Sequence, residues 1–313
     1  MSIEYAQVKD VYGQTLTELG TRNTDVFAVE ADLMKASGTA PFKQAFPDRH
    51  LNVGIAEQNL VGVAAGLAAM GRIPYACTMA NFMAKRACDQ VAMSGAYNNF
   101  NVKLVGCYAG LTQEKNGGTH ISFIDLGIMR SLPNMAVIAP SDCREFVQAV
   151  NVIAEFEGPT YLRMPKLLPE SIFGQEHQFE VGKGYLFGDG NDVTIVSTGL
   201  MTATALEALE ALEKEHIHAR VLHLPTIKPV DTEMVVRCAQ ETGALVTVED
   251  HSILSGLGGL VAEIVTEECP VPVRRLGLND QFGLTAGLDF QLQHFGLTAE
   301  NIVKHAKQVM QKK

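Results

Sequence analysis

No Cys-x-x-Cys pair occurs in this chain, and its six cysteines (Cys77, Cys88, Cys107, Cys143, Cys238 and Cys269) are scattered through apolar or helical stretches. That spread argues against a cysteine-based metal site and a disulfide framework; reduced core thiols point to a cytoplasmic location. No apolar window approaches the ~20 residues that a membrane span requires. The amino terminus, Met1 to Asp10, lacks the charged segment and apolar run that mark a leader. A soluble, unprocessed protein is the expectation. Basic residues are singly placed, and 25 Lys plus Arg stand against 35 Asp plus Glu, a formal net charge of −10. With no basic stripe, nucleic acid is not an expected partner. Internal repeats and low-complexity tracts are absent, and no histidine spacing suggests a metal site.

What is present is enough apolar sequence for two cores: 47% of 313 residues. Strand-like runs at 26–29, 72–77, 102–107, 136–139 and 160–163 alternate with helical patterns at 6–20, 57–70, 84–96, 123–130 and 141–156. This βα alternation predicts a mostly parallel sheet covered on both faces, with right-handed crossovers. The rhythm lapses over 169–190, which collects Gly, Pro, His and Gln and reads as a connector, placing a boundary near residue 180. Beyond it, strands at 193–197, 219–224, 244–248 and 271–277 alternate with helices at 203–216, 231–241 and 257–268. The expected fold is therefore two doubly wound α/β domains, 1–180 and a smaller 181–313. Gly256-Leu-Gly-Gly259 lacks the full spacing of a dinucleotide loop and reads as a close-packed helix start.

The most informative stretch is Leu51-Asn-Val-Gly-Ile-Ala-Glu-Gln-Asn-Leu60. Its Glu57 stands between apolar residues just before a helical run. Desolvation there would raise its pKa and favour a hydrogen bond to a ligand ring nitrogen. The competing reading is a first-turn carboxylate that complements a helix N-terminus.

Six blocks, in order, extend the signal: Val26-Phe-Ala-Val-Glu-Ala-Asp-Leu33, Asn52-Val-Gly-Ile-Ala-Glu-Gln-Asn59, Asn81-Phe82 with Arg86-Ala-Cys-Asp-Gln-Val91, Gly117-Gly-Thr-His120, Leu132 to Asp142, and Gly158-Pro-Thr-Tyr-Leu-Arg163. Together they resemble the pyrimidine-binding domain of transketolases, thiamine diphosphate enzymes that move a two-carbon ketol unit. The remainder, from about residue 185, resembles that family's C-terminal domain. The resemblance implies a thiamine-diphosphate pyrimidine-binding fold followed by a transketolase C-terminal-like domain, which is half of an enzyme.

In the resemblance, Glu57 hydrogen-bonds the aminopyrimidine ring and promotes loss of a proton from the thiazolium carbon. Phe82 packs on that ring, with Met79 where many members have a second aromatic and Arg86 close by on the cofactor side. Taken alone, Phe82 would be a core side chain. The diphosphate and its divalent metal, Mg²⁺ or similar, need a Gly-Asp-Gly followed some way on by an asparagine pair. Gly188-Asp-Gly190 lacks that asparagine pair and reads as a tight turn. The resemblance therefore implies a partner chain, the N-terminal transketolase subunit, that holds the metal and shares the cofactor in an α2β2 heterotetramer.

His120 matches the family histidine that faces substrate hydroxyls, a role suited to proton transfer; a helix-capping histidine is the alternative. Arg163 matches an arginine that grips the substrate phosphate. Three positions depart from the pattern: Lys9 replaces an arginine, Tyr108 a phosphate-binding histidine, and Asn116 an aspartate that contacts a hydroxyl. These departures imply ketol transfer on an unusual sugar, branched, shortened or carrying a different terminal anion. The β subunit of a 2-oxoacid dehydrogenase, a 1-deoxyxylulose-phosphate synthase fragment and a non-catalytic assembly subunit are the alternatives.

Overall fold

A computed structural model describes residues 4–313; the first three residues of the segment expected to lack a leader lie outside it. Two sheets organise the chain. The larger has seven strands, in the order Thr226–Lys228, Ala136–Ile138, Thr160–Met164, Lys103–Cys107, Ile73–Met79, Val26–Glu30 and His50–Asn52. All its pairings are parallel except the first, at the Thr226–Lys228 edge. The second has five strands, in the order Val273–Leu278, Leu245–Ser252, Val193–Ser197, Ala219–His223 and Tyr185–Phe187, the last antiparallel. A two-stranded antiparallel pair, Tyr5–Gln7 with Leu167–Pro169, stands apart.

Burial explains the strand sequences. Every residue of Lys103–Cys107, Thr160–Met164 and Val193–Ser197 is buried. Such strands read as near-continuous apolar runs because helices cover both faces. Some helices start where a side chain satisfies a free amide. Asp142 accepts from Glu145 N at 2.6 Å to open Cys143–Glu155, and Asp231 accepts from Met234 N at 3.0 Å to open Thr232–Thr242. The latter stops at Gly243, whose φ of +64° suits a residue without Cβ. Helix Leu257–Glu268 begins on Glu249, whose carboxylate accepts from Leu257 N at 2.6 Å and Gly258 N at 2.8 Å. Its N-terminus is thus closed by the protein's own anion, and the Gly256-Leu-Gly-Gly259 run packs tightly there.

Several expectations need correction. The single helix expected over 84–96 is three pieces: Ala80–Lys85, Cys88–Gln90 and the π-helical Val91–Ala96. Residues 6–7, expected to be helical, belong to the strand Tyr5–Gln7, and the helix runs Val8–Arg22. The segment 169–190 holds the strand Tyr185–Phe187, and strand Thr226–Lys228 pairs antiparallel with Ala136–Ile138 of the larger sheet. The two sheets are therefore interlocked. The Gly188-Asp-Gly190 turn is shaped by packing: a Cβ at Gly190 would lie 2.2 Å from His218 O.

Candidate active site

The candidate residues follow the carboxyl ends of parallel strands: Glu57 comes after His50–Asn52, Met79 ends Ile73–Met79, and Tyr108 comes after Lys103–Cys107. Glu57 is the first residue of helix Glu57–Ala69, a position where a carboxylate complements the helix dipole, and it is only 2% exposed. Both of its oxygens accept from Arg86 Nη1, each at 2.8 Å. Arg86, at the end of helix Ala80–Lys85, is half-exposed, and its guanidinium lies 4.2 Å from the centroid of the Phe82 ring. A cation over an aromatic face is attracted by the ring quadrupole.

Phe82 in turn meets His120 edge to face, with ring centroids 5.1 Å apart. Thr119 Oγ1 lies 2.8 Å from His120 Nδ1. Asn81 Nδ2 donates to Thr119 O at 2.6 Å and ties the histidine's loop to the Phe82 helix, while Asn81 Oδ1 is buried without a partner among the described residues. Met79 ends its strand with Sδ 3.6 Å from Gln113 Nε2. Glu57, Arg86, Phe82 and His120 thus form one line of contacts, and Asn81, which stands in one of the six sequence blocks without an assigned role, braces it through Thr119.

A second group borders a small concavity. Lys9 and Tyr108 line it with Gln7, Cys107, Met164 and Lys166. Tyr108 follows strand Lys103–Cys107 with φ +52°, and burial, reinforced by Cys107 and Asp10, pushes its phenol above the ordinary value. Asn116 is exposed on the segment Leu111–Thr119, its carbonyl accepting from Thr119 Oγ1 at 3.3 Å.

Arg163 does not join either group, which corrects the expectation that it grips a phosphate. It is 3% exposed, with Nε donating to Asp125 Oδ2 at 3.0 Å and Nη1 to Asp250 Oδ1. Burial alone would lower its pKa, but Asp125 and Asp250 outweigh burial and raise it. A guanidinium enclosed by two buried carboxylates spends its fork on them and does not present it to a ligand. The cation that does reach the concavity from this end of the sheet is Lys166, just past strand Thr160–Met164. Its signal in the sequence was a basic residue immediately beyond a fully buried strand.

Comparison with known proteins identifies the family. The chain matches the transketolase pyrimidine-binding domain over residues 4–170 and the transketolase C-terminal domain over residues 182–302. It is 44% identical over 313 residues to a 6-deoxy-6-sulfo-D-fructose transketolase subunit of Clostridium sp. (strain MSTE9), covering 100% of this chain and 97% of that one. It is 34% identical over 302 residues to an apulose-4-phosphate transketolase subunit of Phocaeicola vulgatus, covering 96% of each. A solved structure described as a split gene transketolase, inactive beta4 tetramer, superposes with a TM-score of 0.91 at 43% identity, covering 98% of this chain and 99% of that one. The chain belongs to the transketolase family, whose domains imply dependence on thiamine diphosphate. Within it, the chain is of the split kind: a C-terminal subunit for transfer of a two-carbon ketol unit between sugars.

Proposed function

We propose that this chain supplies the pyrimidine-binding half of a shared thiamine diphosphate site. On this reading it turns over only with an N-terminal transketolase subunit that holds the diphosphate and its Mg²⁺ or similar ion. The observation that carries the reading is the contact line from Glu57 through Arg86 and Phe82 to His120. Its groups fit an aminopyrimidine: a buried carboxyl, a flat apolar ring, and the buried Asn81 oxygen, which has no partner among the described residues and can accept from an amino group. When bound, thiamine diphosphate supplies the nucleophilic carbon that no side chain provides. Glu57 would share a proton with the ring nitrogen, Arg86 would fix the plane of its carboxyl group, and Phe82 with Met79 would exclude water. His120 moves a proton at a substrate hydroxyl, and Asn116 contacts a second hydroxyl.

Lys9, Tyr108 and Lys166 face the far end of the sugar. The departures at Lys9, Tyr108 and Asn116 support a sugar other than an ordinary ketose phosphate. So do two relatives named for sulfofructose and apulose phosphate. We place the domain boundary at residue 180, between the two matched segments, and the protein in the cytoplasm, in keeping with six free cysteines. An α2β2 heterotetramer is the assembly we infer. A structural neighbour described as an inactive beta4 tetramer supports a subunit that self-associates but needs its partner.

The test is a coupled ketol-transfer assay of this chain, its neighbouring-frame partner and the mixture, with thiamine diphosphate and Mg²⁺, against sulfonated, branched and ordinary sugars. Activity in the mixture alone, highest with a non-standard sugar, is expected. Decarboxylation of a 2-oxoacid would move the chain to dehydrogenase chemistry, and silence with every substrate would make it an assembly subunit.

A further inference from the structure

One ion pair at the substrate end has no part in the reading above. Glu114 Oε2 accepts from Lys166 Nζ, and Glu114 Oε1 accepts from Leu288 N at 3.1 Å. The Lys166 amide donates to Thr112 Oγ1 at 3.0 Å, so the Leu111–Thr119 segment grips Lys166 at two points. Glu114 itself sits at φ +46°, ψ −79°, a left-handed-side conformation that a non-glycine residue keeps only where its surroundings hold it. The segment that ends at His120 therefore places, at its other end, a carboxylate on the lysine of the concavity.

The charges there can be counted. Lys9 and Lys166 contribute two ammonium groups to the lining. Glu114 neutralises one, and Asp10 lies close enough to act on Tyr108. Among these groups alone the surplus is at most one positive charge; Lys115 also acts on Glu114, from outside the lining. A terminal group with a single negative charge is matched by Lys9 and a hydrogen bond from the Tyr108 hydroxyl. A phosphate monoester carries about −1.5 to −2 near pH 7, and must either displace Glu114 from Lys166 or sit beside it.

We propose that Glu114 is a specificity-determining residue: an internal counter-anion on Lys166 that biases the subsite toward singly charged terminal groups, such as a sulfonate, over a phosphate monoester. The proposal rests on the reading that Lys9, Tyr108 and Lys166 face the far end of the sugar. The test uses the reconstituted two-chain enzyme with thiamine diphosphate and Mg²⁺, and three aldehyde acceptors: a phosphate-ended one, a sulfonate-ended one, and glycolaldehyde, which has no terminal anion. Glu114→Gln retains an oxygen for Leu288 N, and thermal unfolding checks that it folds. Relative to glycolaldehyde, the KM of the phosphate-ended acceptor should fall about tenfold in this variant, as expected when one like charge is removed at close range, and that of the sulfonate-ended acceptor by less. Lys166→Met should raise both ratios. An unchanged or increased phosphate ratio in an active Glu114→Gln enzyme overturns the proposal alone. No ketol transfer to glycolaldehyde by the wild-type pair overturns the functional reading and the proposal with it.

Discussion

Glu57 and Arg163 are both buried charged residues, yet they have opposite tasks. Glu57 meets only the half-exposed Arg86, so its removal leaves a cation that water can solvate. Glu57→Ala should therefore fold nearly as the parent does and lose several orders of magnitude in turnover, measured as kcat in the two-chain assay beside a urea melt. Arg163 is enclosed by Asp125 and Asp250, which its loss would leave uncompensated. Arg163→Met should lower stability by about 3–5 kcal/mol, the cost of breaking a buried pair from one side, read as a reduced urea midpoint. The strand around Arg163 was legible as a buried apolar run, and an arginine inside it needs buried counter-charges. Those counter-charges lie 38 and 87 residues away, so only the folded chain could reveal that the guanidinium was already taken.

Among elements, most of the longer strands and helices were plain from periodicity, since a two-sided buried strand and an amphipathic helix each leave a repeating pattern; the helix Ala299–Met310 was missed. Short pieces were not. Thr226–Lys228 is a strand because it finds an edge partner in Ala136–Ile138, and nothing local in its sequence demands this. The 84–96 segment is helical by composition, but its turns widen to π geometry over Val91–Ala96. Helix Leu257–Glu268 shows how little room an element start can have. An ideal Cβ at Gly256 would stand 2.0 Å from Glu249 Oε2 and 2.5 Å from His251 Nδ1. Gly256→Ala should displace the carboxylate that caps this helix and destabilise by about 1–3 kcal/mol, as forced overpacking does. Chemical denaturation would report it, together with faster hydrogen exchange at the Leu257 and Gly258 amides.

For the molecule as a whole, the two sheets are fastened across their boundary by buried charge. Glu145, on the helix Cys143–Glu155, faces a pair of histidines: His177 Nε2 at 3.4 Å and, from a strand of the second sheet, His223 Nε2 at 2.9 Å. Burial alone would raise its pKa, but His223 and the hydrogen bonds outweigh it and hold the carboxyl down to about 2, below the ordinary 4.5. A depressed folded value stabilises fully above about pH 4.5 and is lost as pH falls toward 2. The urea midpoint should thus decline across that window, and the decline should flatten in Glu145→Gln. Because strand Thr226–Lys228 sits in the larger sheet, both sheets should unfold in one transition, followed by circular dichroism and tyrosine fluorescence together.

The sequence by itself determined the α/β class, the two-part order and the family, and it singled out Glu57, Phe82 and His120, which stand in one line of contacts. Those features are carried by local periodicity and by motifs whose residues lie close along the chain. Only the tertiary structure decided that Arg163 is a structural cation, that Glu114 pairs with Lys166 beside the concavity of Lys9 and Tyr108, that Asn81 ties the His120 loop, and that Glu145 bridges the sheets. Each of these depends on groups brought together from distant segments, where burial forces a partner and chain order does not name it.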